Sequence, residues 1–418
     1  MCDSTLKTLR LSLLDAFLYS LMVGVGETYL PAYVLSIGLN EVFAGILASL
    51  PLVSGAFLQL FTPRGVQKIG SHKSWVVGTT ALQAMSFLPL IYFSDHGSPN
   101  FWTLFVILTL YWAANFAAGP AWNYWMGHLV PQEDACGYFS KRARFSQIGL
   151  LIGVVSGGIC LHNNVELGPF SSVFGFIFFL GFVCRLGSSF LLSAHHFQKD
   201  WTLSQKYCGV KDSIRLFMNT GVKRKFLTAF FPLQVAVYLS SPFVTPYLLA
   251  QVKLNYASYM GSLAAALLGK FLMMTLIQNR QDSIDPFKLF TLGLILICPS
   301  PFLWGLSQSL SFIVILQFMS GMAWACYEVG LALIFFRELK KEEKVPLLTV
   351  YNMISAAGII VGAALGGKLL MTLGMTKSGY LTVFVVGGLI RLTMALSMIR
   401  VIHLWQKKRP VTELEKAA

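Results

Sequence analysis

Glu27 is the residue whose position most demands a chemical role. It lies well inside an apolar stretch, in Gly24-Val25-Gly26-Glu27-Thr28-Tyr29-Leu30-Pro31. An ionisable group at the centre of a bilayer costs at least about 2.5–3.5 kcal/mol on insertion scales. Pro31 has no N–H, so the carbonyl four residues earlier, that of Glu27, loses its helical partner. The spacing therefore sets a polar, flexible break beside a carboxyl group, and Glu27 is the expected proton-linked group. Glu328, in Ala325-Cys326-Tyr327-Glu328-Val329-Gly330, is the second deep carboxylate, and it is expected either in a cavity or in an ion pair that braces the helices. Lys270 is the base expected to face the same cavity, where it could bind an anion or neutralise Glu27 or Glu328. Arg185 and Arg391 are equally deep and are expected to brace structure. Asp15, one turn inside its stretch, is expected at an interface near a helix N-terminus. Lys368 lies near a stretch end and can snorkel to water.

Amides and aromatics form a second tier. Tyr111 and Asn115 are four apart and share one helix face. Gln234, Tyr238, Ser240 and Ser241 accompany Pro242 and Pro246. An amide facing lipid would be unsatisfied, so Asn115 and Gln234 are expected to face a cavity. Trp122 and Trp125 fit an interfacial aromatic belt. The sequence contains no GxSxG, Walker loop, HExxH or paired-carboxylate spacing, so no enzyme is expected. Its seven cysteines form no CxxC pair, and His195-His196 reads as interfacial, so no metal and no cofactor are expected.

The elements that must position these residues are membrane spans. Of the 418 residues, 55% are hydrophobic and only 12% charged; mean hydropathy is +0.65. A soluble domain carries about 25% charged residues, so a cytosolic enzyme, a nucleic-acid module and a disordered chain are excluded. At about 20 residues per span the chain accommodates a dozen helices. Apolar runs place them near 11–35, 41–61, 74–94, 101–127, 145–164, 170–193, 226–249, 256–278, 288–307, 310–336, 346–372 and 378–403. The longest polar stretch, 194–225, divides an N-terminal six-helix bundle (1–193) from a C-terminal one (226–418). The first apolar run has no small-x-small cleavage site after it and is expected to be a retained span.

The net charge of +14 follows the loops. With the N-terminus in the cytoplasm, the outer loops hold only Lys253 and Lys377, whereas the inner segments hold clusters such as Lys223-Arg224-Lys225 and Lys340-Lys341. The positive-inside rule thus expects both termini to be cytoplasmic and removes any need for a nucleic-acid partner.

The two halves repeat each other. Gly149-x3-Gly153-x3-Gly157-Gly158 recurs as Gly358-x3-Gly362-x3-Gly366-Gly367, 209 residues later. Pro31-Ala32-Tyr33-Val34-Leu35 has a counterpart in Pro246-Tyr247-Leu248-Leu249, and each is followed by a Leu-Asn pair. Small residues every fourth position let helices approach closely in lipid.

Twelve spans, this duplication and the long central loop resemble the major facilitator superfamily over essentially the whole chain. The loop between spans two and three, Pro63-Arg64-Gly65-Val66-Gln67-Lys68-Ile69-Gly70, keeps the central Gly and the basic residues of that superfamily's motif; its leading Gly is replaced by Pro63 and its acidic residue by Gln67. The stretch Trp122-Asn123-Tyr124-Trp125 through Lys141-Arg142-Ala143-Arg144 is similar to that of a poorly characterised bacterial branch. Val154 follows Gly153 where the superfamily's drug antiporters carry Pro. The resemblance implies an all-α polytopic protein of the inner membrane with twelve helices in two pseudo-symmetric bundles. It also implies a monomer that moves a small organic or amphipathic solute by alternating access, with protons as the coupling ion. A lipid or lysolipid flippase, and a non-transporting receptor or assembly factor on the same scaffold, are the alternative expectations.

Overall fold

The computed structural model describes residues 3–58, 61–97, 99–130, 132–164, 170–194, 210–280 and 284–407. His195-His196, Cys2, Cys208 and the 195–209 part of the expected linker lie outside the described residues.

Among the described residues, twelve helices are long and apolar enough to cross a membrane. Spans one to six are Thr8–Ser36, Glu41–Leu58, His72–His96, Phe101–Asn123, Lys141–His162 and Val173–Ser193. Spans seven to twelve are Val222–Gln251, Tyr256–Gln278, Pro286–Leu303, Leu310–Arg337, Pro346–Leu373 and Lys377–Lys407. The chain is an all-α polytopic membrane protein. By contacts it falls into two compact units: Met1–Lys206 with Leu248–Gly261, and Tyr207–Tyr247 with Ser262–Ala418. The short segment 248–261 groups with the first unit, where Gln251 Nε2 donates to both carboxylate oxygens of Glu41 at 3.0 Å.

Glycine sets the closest packing in each unit. A Cβ on Gly149 or Gly153 would collide with the carbonyl oxygens of Phe17 and Leu21, and one on Gly157 would meet the Tyr29 ring and the carbonyl of Val25. In the second unit Gly358, Gly362 and Gly366 abut the carbonyls of Phe231, Val235 and Leu239. Both sets of carbonyls advance by four residues along the partner helix, so span one on span five and span seven on span eleven share one register. The ladder seen in the sequence is thus a backbone-to-backbone contact, made twice. Gly153→Val is expected to cost at least about 2 kcal/mol, the upper range of overpacking a tight interface. Thermal unfolding in detergent measures it; a loss below about 0.5 kcal/mol would mean the interface is loose.

Four of the described spans are broken. Span one is helical over Asp3–Val25, passes through a 3-10 turn at Glu27–Tyr29 and resumes over Leu30–Ser36. Span seven repeats this with helix Phe230–Ser240, a 3-10 turn at Ser241–Phe243 and a wide π turn over Tyr247–Gln251. Span three breaks at Ser86, between His72–Met85 and Phe87–His96. Span nine, expected as one run over 288–307, is instead Pro286–Ile297 and a short turn Ser300–Leu303, because Pro299 and Pro301 each withhold an N–H.

Candidate functional site

The break in span one places Glu27. The Leu30 N–H donates to the Glu27 carbonyl in the tighter 3-10 pattern, which takes up the acceptor that Pro31 leaves free. One turn earlier, Thr28 Oγ1 donates to the carbonyl of Val23 at 2.9 Å. These two bonds satisfy the broken backbone and leave the Glu27 carboxylate free for side-chain partners. Tyr111 on span four donates its hydroxyl to Glu27 Oε2 at 2.5 Å, a short bond of the kind formed to a charged acceptor. Asn115, one turn along the same face, lies beside Tyr19, which is within electrostatic reach of Glu27 and Arg185. Of the two residues expected to share a face, Tyr111 is the one bonded to the carboxylate.

Beside Glu27 lies a cavity of about 210 Å³ bounded by spans one, two and four. Its wall includes Glu27, Thr28, Pro31, Ala44, Leu47 and Trp112. The volume falls below the usual 300–1,000 Å³ of a drug-sized pocket. It suits the end of a solute, or a few waters beside the carboxylate.

A second polar network braces the same bundle. Asp15 Oδ2 accepts from Arg142 Nη2 at 3.1 Å, and Asp15 Oδ1 accepts from Ser188 Oγ at 2.7 Å. Ser188 also accepts from Arg185 Nη1 at 2.9 Å, and Arg185 Nε donates to Gln83 Oε1 at 2.7 Å. The Arg185 guanidinium lies 4.6 Å from the centre of the Tyr19 ring. Asp15 was expected at an interface; its side chain is 4% exposed, because Arg142 and Ser188 compensate its burial. Arg185 braces helices, as expected. Trp122 and Trp125 do not form a belt. Trp125 is 1% exposed among Val66, Val76, Ala121 and Leu192, and Trp122 lies 4.1 Å under the Arg142 guanidinium.

In the second unit, Lys270 Nζ contacts Glu328 Oε1 at 2.9 Å and Oε2 at 2.7 Å. Of the two partners open to Lys270, the structure selects Glu328. Gln234 lies beside Tyr351. Arg391 is buried and pairs with no carboxylate among the described residues. Its guanidinium donates to the carbonyls of Ile297 at 3.1 Å and Val237 at 3.4 Å, and to the hydroxyls of Ser240, Ser300 and Ser241 at 3.1, 3.3 and 3.4 Å. Ile297 is four residues before Pro301, so Arg391 caps the carbonyl that the proline orphans.

Glu27, Tyr111 and Asn115 belong to the first unit; Lys270, Glu328 and Gln234 belong to the second. Tyr19, Gln83 and Ser188 were not anticipated. Tyr19 had a signal, since it lies four residues from Asp15 on one helix face. Gln83 and Ser188 had none, because their partners lie 102 and 173 residues away in the chain.

No family model matches the sequence, and no curated protein matches it. Solved structures do. A variant of the nucleoside transporter NupG matches with a TM-score of 0.74 and 12% identity, over 96% of this chain and 100% of that one. A bacterial homologue of the human lysosomal transporter Spinster, inward-facing and unoccupied, matches at 0.72 and 11%, over 97% and 98%. FucP, a major facilitator superfamily transporter in its outward conformation, matches at 0.61 and 15%, over 96% and 99%. The fold of this chain is the major facilitator fold.

Proposed function

We propose that this chain, having the major facilitator fold, is a secondary active transporter of a small organic solute, coupled to protons through Glu27. The observation that carries it is the Glu27–Tyr111 pair at the break of span one, open to a cavity bounded by spans one, two and four. A carboxylate at a helix break, held by one neutral hydroxyl and touching open space, can exchange its proton as the break flexes. The two six-span halves, 1–193 and 226–418 joined through 194–225, would rock in alternating access. Both termini would lie in the cytoplasm of an inner membrane, as the basic loops indicate. Tyr111 and Asn115 would orient the proton site, and Lys270, Glu328 and Gln234 would serve the solute.

The test is ligand-induced thermal stabilisation of the purified protein, wild type beside Glu27→Gln. The panel is organic acids, sugars, amino acids, drugs and lysolipids, each at acidic and neutral pH. A solute present at 100 times its Kd adds about 2.7 kcal/mol to the folded state. The expected result is a stabilising solute whose pH dependence disappears in Glu27→Gln. An unchanged pH dependence would remove Glu27 from coupling, and a panel with no stabilising solute would count against the transporter itself.

A further inference from the structure

The Lys270–Glu328 pair is more exposed than a brace requires. Its side chains are 27% and 46% exposed, whereas the buried brace in the other unit holds Asp15 at 4%. Both residues lie about two turns inside their spans, Tyr256–Gln278 and Leu310–Arg337. Two charges that open cannot face hydrocarbon at an acceptable cost, so the surface they occupy is wet. Its surroundings agree. Tyr238, Tyr327 and Tyr351, on spans seven, ten and eleven, each lie within electrostatic reach of Glu328.

Spans eight and ten do not depend on the pair for contact. A Cβ on Gly269 would collide with the Phe318 carbonyl, and one on Gly321 with the Ala266 carbonyl. Backbone approach on that scale already joins the two helices. The pair is thus free to exchange partners.

We propose that Lys270 and Glu328 form an exchangeable pair that binds a zwitterion, with the anionic group of the solute on Lys270 and its ammonium on Glu328. This inference rests on the transporter function proposed above and names its substrate class. Charge balance favours a zwitterion over a single ion. The pair is neutral in sum, and a zwitterion keeps it so; a solute with one charge leaves the opposite side chain unpaired beside it. Lys270 has three donors and Glu328 about four lone-pair sites, so each can turn to the solute while its old partner is still near. Trp324, whose ring centroid is 5.4 Å from that of Tyr327, supplies an aromatic wall on the same span.

The experiment uses the full-length purified protein and thermal stabilisation. The probes are the twenty amino acids and the dipeptides Ala-Ala and Phe-Ala, each beside its C-terminal amide and its N-acetyl form. At least one zwitterion should stabilise the protein, and both blocked forms should bind at least about tenfold more weakly, since each strands one charged partner. Lys270→Gln and Glu328→Gln should each lose the response. The exchange of Lys270→Glu with Glu328→Lys keeps a pair and should retain folding and part of the zwitterion response. Equal binding of an amide or an N-acetyl form overturns the proposal, as does an undiminished response in a correctly folded Lys270→Gln. Stabilisation by a sugar, drug or organic acid with none by any zwitterion overturns the substrate class and leaves the transporter standing. Silence across every solute removes both.

Discussion

Replacing Asp15 with alanine is expected to destabilise the protein by about 3–5 kcal/mol, the usual cost of removing one partner from a buried ion pair. The Asp15 carboxylate accepts from Arg142 and Ser188, and Ser188 passes the connection on to Arg185 and Gln83. Without it, Arg142 loses its ion-pair partner and the chain through Ser188 to Arg185, itself 4% exposed, loses its anion. The loss should not be additive. Removing Arg142 together with Asp15 takes away the stranded charge as well as its partner, so the double variant should be more stable than the sum of the single losses by at least about 1 kcal/mol. Denaturant or thermal unfolding of the four proteins in one detergent measures the cycle. A single-variant loss under about 1 kcal/mol would mean that water, rather than protein, already solvates Asp15.

Arg391→Ala should cost about 3 kcal/mol, from charge-assisted hydrogen bonds lost to carbonyls that stay buried. Five acceptors surround that guanidinium, and they come from the breaks of spans seven and nine as well as from the helices beside them. Lysine cannot reproduce the planar fork that serves acceptors on both sides. Arg391→Lys should therefore recover less than half of the loss. Full recovery in melting temperature would show that the positive charge matters and the fork does not. The counterpart in the first half sharpens the point. Gly181-x3-Arg185 and Gly387-x3-Arg391 share one spacing, and each arginine bonds to the span that breaks beside it, Gln83 on span three and Ile297 on span nine.

The architecture was legible in the sequence because lipid imposes length and apolarity on every span, and because two glycine ladders at one spacing require two similar interfaces. The break at Glu27 was legible too, since Pro31 determines which carbonyl goes unpaired. Local rules also paired Tyr111 with Asn115 on one face. They could not say that this face meets Glu27, because that contact joins residues 84 apart. The burial of Asp15 escaped for the same reason: its partners come from spans five and six. Trp122 and Trp125 were assigned to a belt on their place near a span end. Side-chain direction, which decides between lipid and core, depends on neighbours that hydropathy does not record. Lys270 had two candidate anions, and only the packing of spans eight and ten through Gly269 and Gly321 shows which of them it reaches.

The glycine register has a mechanical consequence. Spans one and five touch backbone to backbone at three successive turns, which makes them a stiff two-rod strut from Phe17 to Val25. Such a strut bends poorly along its length, so strain arriving at either end must collect where the hydrogen-bond ladder is already interrupted. That point is the 3-10 turn at Glu27–Tyr29. The proposed proton site thus sits at the elbow of a lever: the segment Leu30–Ser36 is its arm, and the glycine-locked rods are its mount.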